Sequence, residues 1–365
     1  MKIQQLIHFP VLAVIACLSL FFVCNSASAK VTGTCGNCHT MHNSQNGSAL
    51  NSDTIETLLV DDCVGCHSAA DGSTWKDATT GAPIVYNIAE PSFNAAKGLA
   101  GGNFYWVAQG DDTKGHNIFS DNPDGALSSA PGGYITCGTN ACHQNLHLPA
   151  TSQTADLEGK YGCNGCHLNV AHHATDGSSG TYKLVTTAAQ GWYRFLSGHI
   201  SGSGHGVEGG EDPDWQVAAT SSVHNEYLGQ VDSSGIGWGF SGNRLGHTTT
   251  AFCTGCHGVF HKEQSSGGKW IRHPSDAYLP GDAQYGSYTV YDPIAPVARE
   301  TLPATPDSTV TADGGTDMVM CLSCHRPHGS EYSDLLRWNY DTMVAGGGGA
   351  DGTGCFVCHT NKDGS

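Results

Sequence analysis

CGNCHTMH, residues 35–42, decides how this chain is read: Cys35, Cys38 and His39 form Cys-x-x-Cys-His, and a second histidine, His42, follows three residues later. The same pentapeptide returns as CVGCH (Cys63, Cys66, His67), CNGCH (Cys163, Cys166, His167), CTGCH (Cys253, Cys256, His257), CLSCH (Cys321, Cys324, His325) and CFVCH (Cys355, Cys358, His359). A stretched variant, CGTNACH, places Cys137, Cys142 and His143 in the same order. Cys-x-x-Cys-His is the attachment motif of c-type haem. Two thiols add to the two vinyl groups, and the following imidazole reaches the iron. A single copy is also compatible with a zinc site or a redox dithiol, but repetition along one chain argues for a multihaem c-type cytochrome.

Cysteine arithmetic agrees. Of 16 Cys, Cys17 and Cys24 fall in the first 29 residues, leaving two for each of seven covalent haems c. No thiol remains for a structural disulfide. Residues 1–29 read as a signal peptide, with Lys2 as the basic segment, Val11 to Val23 as the apolar stretch and Ala27-Ser28-Ala29 as the cleavage site. A lipobox reading of Val14 to Cys17 is the alternative, weakened by the apolar residues that still follow. No later run has spanning length, so no integral membrane span is expected.

Lys and Arg number 16 against 33 Asp and Glu, a formal charge of −17. That balance excludes nucleic acid as a partner, because binding it needs a basic face. Other redox proteins or mineral electron acceptors remain. Glycine is abundant, at 49 residues. Residues 30–365 are expected to form one continuous heptahaem unit, mostly irregular, with short α-helices and few strands around a haem core. The proline-rich stretch 274–316 disfavours helix, and Ser287 to Tyr291 (SYTVY) reads as a short strand.

Seven motif histidines leave twelve others beyond residue 29, against three Met beyond residue 41. The sixth iron ligand is therefore expected to be His, which keeps potentials low where Met would raise them. His42 and His328 follow their motif His at i+3, and His147 and His261 at i+4. His172 and His173 compete for one position after site 4. If a helical turn continues past the motif, i+3 and i+4 share its face. Axial nitrogens must approach one iron from opposite sides, so each such pair is expected to serve two haems. His116 and His273 complete the candidate set. His199, His205, His224 and His247 read as surface or hydrogen-bonding residues.

The segments CGNCHTMHNS (35–44), KGHNI (114–118), APGG (130–133), the CH-x-x-x-H at 256–261 with RHP (272–274), and CLSCHRPHGS (321–330) resemble the doubled-CxxCH multihaem cytochromes of metal-reducing bacteria, especially the OmcS-type extracellular cytochromes that polymerise into filaments. That resemblance implies an electron carrier, secreted to the outer surface, with a homopolymer among its partners. It also implies that His42 crosses to a haem of the neighbouring subunit. The family has six haems, whereas seven motifs occur here, and residues 168–252 have no counterpart. A periplasmic shuttle or a porin-conduit subunit is the rival role. A multihaem reductase would need an open iron position, often marked by Lys in place of the motif His. All seven motifs end in His, so no enzyme is expected.

Overall fold

The computed structural model describes residues 30–31, 33–50, 58–93, 97–119, 130–132, 146–147, 162–168, 170–175, 180–197, 206–231, 247–257, 260, 273–346 and 352–362. The leader, the stretched motif at Cys137, Cys142 and His143, and the candidates His199, His205 and His261 lie outside these residues.

Among the described residues helix is confined to single turns. The α-helices are α1 (Cys63–Cys66), α2 (Tyr105–Ala108), α3 (Thr249–Cys253) and α4 (Cys321–Cys324). Three of the four end on or cover an attachment motif. The other described motifs are 3-10 turns over Cys35–Asn37, Gly162–Gly165 and Gly354–Val357. Side chains start two of the helices. Asp62 accepts from the Gly65 amide at 2.7 Å, and Thr248 accepts from the Ala251 amide at 3.0 Å, each satisfying an orphan donor of the first turn.

Strands are two or three residues long. β1 (Ser44–Gln45) and β2 (Ser48–Ala49) form an exposed hairpin across Asn46-Gly47, both at positive φ. Asn-Gly is the pair that a tight primed turn demands. β3 (Ser68–Ala69) pairs in parallel with β4 (Tyr86–Asn87). The remaining six make one mixed sheet: β5 (Lys183–Val185), β6 (Gly209–Glu211), β7 (Glu226–Leu228), β8 (Ala277–Tyr278), β9 (Ala298–Arg299) and β10 (Asp317–Val319). Their order is β5-β6-β7-β9-β10-β8, with β7–β9 the one parallel pairing.

Register sorts the two faces of this sheet. Tyr227 opposes Ala298, and Ala298 opposes Met318, which opposes Tyr278. Since successive residues alternate faces, the other face carries Glu226, Arg299 and Asp317. The first face joins Tyr193, Val207 and Met320 in a buried cluster. On the other, Arg299 donates to Glu226 Oε2 and to Asp317 Oδ1, both at 2.9 Å, and to the carbonyls of Asp307 and Thr309. His224 Nε2 donates to Glu226 Oε1 (3.0 Å) and the ring stacks on Tyr291 at 3.6 Å. His224 is thus a buried hydrogen-bonding residue, as expected of it.

The expected strand Ser287–Tyr291 is not one. Ser287 closes a turn, and pairing is reduced to one antiparallel bridge of Val290 with Thr309, flanked by the Tyr291 amide donating to the Ser308 carbonyl at 2.8 Å and the Val310 amide donating to the Thr289 carbonyl at 3.0 Å. Tyr288 and Tyr291 instead enter a second buried cluster with Leu279, Ala295, Val297, Val310, Trp338 and Val357. The Tyr288 hydroxyl donates to the Ala295 carbonyl at 2.6 Å.

Candidate haem centres

Each described motif closes on itself in the same way. The amide of the motif His donates to the carbonyl of the first Cys: His39 to Cys35 at 2.9 Å, His67 to Cys63 at 2.9 Å, His167 to Cys163 at 2.8 Å, His257 to Cys253 at 3.0 Å, His325 to Cys321 at 3.1 Å and His359 to Cys355 at 2.9 Å. One turn closed by an i+4 to i bond puts the two thiols, three residues apart, on one side. Among the described residues no three Cys, His, Asp or Glu side chains converge on a common point that would hold a metal ion. The two thiols and the imidazole of each described motif therefore do not form a zinc-type cluster.

The turn stops at the motif His. His325 has φ −112° and ψ 153°, extended rather than helical, and His39 bridges to Leu59. The expectation of a shared helical face beyond the motif is therefore wrong at site 6. The chain leaves the helix there, and that departure is what carries His328 away from His325.

Five motif imidazoles face a distant imidazole. Ring centroids are 6.1 Å apart for His39 and His173, 6.3 Å for His67 and His172, 6.2 Å for His167 and His328, 6.0 Å for His257 and His116, and 6.2 Å for His359 and His273. Two imidazole–metal bonds of about 2 Å each, plus the reach of each ring from nitrogen to centre, place trans imidazole centroids about 6 Å apart. These residues fit an iron held between two histidines. His172 and His173 do not compete for one position: the dipeptide reaches His67 with one ring and His39 with the other.

Ring orientation is fixed from behind. Nδ1 lies 2.8 Å from the Pro83 carbonyl in His67, 2.7 Å from Pro327 in His116, 2.8 Å from Pro131 in His257 and 2.9 Å from Pro274 in His273. His325 uses the Asp334 carbonyl at 2.7 Å. A carbonyl can only accept, so Nδ1 carries the proton and Nε2 keeps its lone pair for a metal. Four of these five anchors are prolines, whose carbonyls sit on backbone of fixed φ. Burial pushes the pKa of His116 down to about 4 and of His328 to about 3, so both stay neutral, the form that ligates. Close approach needs glycine. A Cβ on Gly101 would stand 3.0 Å from His328 Nδ1, and one on Gly102, at φ +88°, would strike the Gly329 carbonyl.

The six described motifs stand in single file. Cys38 and Cys66 are within electrostatic reach of each other, the Cys63 and Cys163 thiols touch, Cys166 neighbours Cys253, Cys253 touches Cys321, and Cys324 neighbours Cys355. The order is site 1, 2, 4, 5, 6, 7. Cys324, Cys355 and Cys358 rest on the Tyr288–Trp338 cluster.

Two candidates stand apart. His42 is exposed, beside Met41 at 81 % exposure, in a loop held by Thr40 Oγ1 donating to the Ser44 carbonyl at 3.0 Å. His325 is solvent-accessible, yet enough protein surrounds it to lower its pKa, as for a side chain lining a cleft. Neither ring faces another imidazole among the described residues. His147 is described without a ring partner, and its site-3 neighbours are not described. His247 donates from Nδ1 to the Gly206 carbonyl (2.6 Å) and stacks on Trp192.

Comparison with known proteins bears on this arrangement. Residues 314–364, which hold sites 6 and 7, match the doubled CXXCH motif family. C-type cytochrome OmcS of Geobacter sulfurreducens is 27 % identical over 368 aligned positions, spanning 84 % of this chain and 78 % of that protein. This chain is a multihaem c-type cytochrome related to OmcS. Its cofactor is covalent haem c. Two solved structures are similar to the cytochrome. The outer membrane cytochrome S filament from G. sulfurreducens is 19 % identical, covering 86 % of this chain and 85 % of that one, with a TM-score of 0.44. The OmcS nanowires from the same organism are 21 % identical, covering 92 % of each chain, with a TM-score of 0.46. Among the described residues no helix is long and apolar enough to cross a membrane.

Proposed function

We propose that this cytochrome carries single electrons along seven bis-histidine haems and has no substrate chemistry of its own. Five imidazole pairs at 6.0–6.3 Å carry the reading. Bound haem c supplies reversible one-electron chemistry at iron. The chain's own residues do the rest. The cysteine pairs of the described motifs would take the attachment points in single file, the five imidazole pairs would ligate iron, and proline carbonyls fix the tautomer of His67, His116, His257 and His273. In this reading Cys137, Cys142 and His143 hold the seventh haem, with His147 and His261 as the remaining candidate ligands.

The exported protein works at the cell surface or beyond it, passing electrons to oxidised minerals or partner cytochromes. It polymerises head to tail. His42 of one molecule takes the open position opposite His325 of the next, since His273 already faces His359. An exposed donor near one end and an accessible motif His at the other make a heterologous contact, which repeats as an open filament when the rotation does not close. Relatedness to OmcS, whose solved form is a filament, supports this.

The decisive measurements are intact mass and electron microscopy of the native protein. We expect a mass with seven haems and filaments that His42→Ala abolishes, leaving monomers with one high-spin haem at Cys321/Cys324. A six-haem mass would show the stretched motif empty. Low-spin haem throughout the His42→Ala protein would overturn the shared ligand, and soluble wild-type monomers confined to the periplasm would favour the shuttle.

A further inference from the structure

Site 7 differs from the other described sites in two ways. Its ring planes cross most steeply: His359 and His273 lie at 87°, against 55° for His167 with His328, 50° for His257 with His116, 17° for His39 with His173 and 16° for His67 with His172. The partner of its motif histidine is also a side chain. Nδ1 of His359 contacts the Gln284 carboxamide, where His67, His257 and His325 use backbone carbonyls. With Nε2 reserved for iron, Nδ1 carries the proton, so the carboxamide turns its oxygen to the ring.

Gln284 is itself held. Its amide donates to Asp282 Oδ1 at 2.8 Å, and its carbonyl accepts from the Thr360 amide at 2.8 Å and from Thr360 Oγ1 at 2.9 Å. Residue 284 is therefore pinned to residues 359 and 360 by backbone and side chain together, while Tyr285 flanks the same ring at 5.2 Å. Nδ1–H lies in the imidazole plane. The position of its acceptor therefore sets the rotation of the ring about the iron–nitrogen axis.

We propose that Gln284 is a positioning residue for site 7: its side chain holds the His359 ring crosswise to His273, and this gives the last haem of the file an electronic character unlike that at sites 1 and 2. The physical reason is orbital. Parallel imidazoles donate into the same iron d orbital and split the pair, which yields a rhombic low-spin signal. Crossed imidazoles each engage a different member and leave the pair nearly degenerate, which raises the largest g value. The strength of the Nδ1–H bond also sets ligand basicity and hence potential.

The inference rests on the bis-histidine reading, and the test separates the two. Electron paramagnetic resonance of the oxidised holoprotein should show a strongly anisotropic low-spin species beside rhombic ones. Replacing Cys355 and Cys358 together with Ala should remove that species. Gln284→Ala should shift it toward the rhombic position with haem content and low-spin optical bands unchanged. Gln284→Glu, which keeps an acceptor and makes it anionic, should retain the anisotropic signal and lower the potential of one haem. The idea is overturned if Gln284→Ala leaves the signal in place, if the signal survives loss of both cysteines, or if Gln284→Glu moves no potential. A His273→Ala protein without a high-spin haem would instead sink the bis-histidine reading.

Discussion

Sites 1 and 2 and sites 5 to 7 sit in unlike surroundings. Around the first two, regular structure amounts to α1, two pairs of two-residue strands and a few bridging bonds, such as Thr40 to Leu58 at 2.7 Å and Val60 to Cys38 at 2.9 Å. The buried Ile84, Leu99, Phe104, Trp106 and Val107 belong to neither hydrophobic cluster. Every buried residue of the two hydrophobic clusters falls between Tyr193 and Val357. There a six-stranded sheet with an ionic face stands behind the motifs, and α3 packs on α4. The difference shows two ways to hold a prosthetic group. One region brings a large clustered core to the cofactor. The other is cross-linked through it, because His172 and His173 reach across more than a hundred residues to His67 and His39.

The strongest way to break the comparison is to withhold a haem. Cys35→Ala with Cys38→Ala should leave residues 38–60 without the iron that joins His39 to His173. Amide exchange there should rise to the rate of unfolded chain, while β6 and β7 keep their protection. Equal loosening of the sheet would show that the two regions share one core. The converse perturbation is Arg299→Met. It removes the cation from between Glu226 and Asp317, both fully buried, and an uncompensated buried charge costs about 3–5 kcal/mol. Denaturant unfolding followed by far-ultraviolet circular dichroism should show that loss, with the spectra of sites 1 and 2 unchanged below the transition. Replacing Glu226, Arg299 and Asp317 together with apolar residues should restore much of it.

How much of this could be read from the sequence follows the same division. Attachment motifs are local, so their closure into single turns is encoded within five residues each. Ligand type is legible too, because histidine is plentiful and methionine scarce. Which histidine meets which iron is not, since it depends on where the chain returns. Nothing near KGHNI says that His116 faces His257, nor that His172 and His173 divide their rings between two sites. The sheet was hidden for another reason. Strands of two or three residues leave no alternating pattern to detect, and SYTVY, which has the composition of a strand, makes a single bridge and buries both tyrosines. The β1–β2 hairpin had a signal that went unused, Asn46-Gly47.

The smallest expected effect tests how local the weakly built region is. Asp71 lies in the loop after site 2. Its Oδ1 accepts from the Ser73 amide (2.7 Å), the Ser73 hydroxyl (2.8 Å) and the Thr74 amide (2.7 Å), and its Oδ2 accepts from the Thr74 hydroxyl (2.9 Å). Hydrogen bonds from Ser73 and Thr74 favour the charged form and lower the pKa from 3.8 to about 2. A depressed carboxylate stabilises the fold fully above its ordinary pKa, and that contribution disappears as pH falls through the folded one. Between about pH 4 and pH 2 this turn should loosen. It should not let go, because Asn87 Nδ2 independently donates to the carbonyls of Asp71 (2.7 Å) and Thr74 (2.9 Å), and Asn87 is clamped to Asn103. Exchange in a peptide spanning 71–76, corrected for its intrinsic pH dependence, should rise modestly across that window. In Asp71→Asn it should be flat, because an amide does not titrate there. If acid opened the 71–76 turn and the 84–107 segment together, Asn87 would not be the independent tether the geometry describes, and the region around site 2 would unfold as one piece.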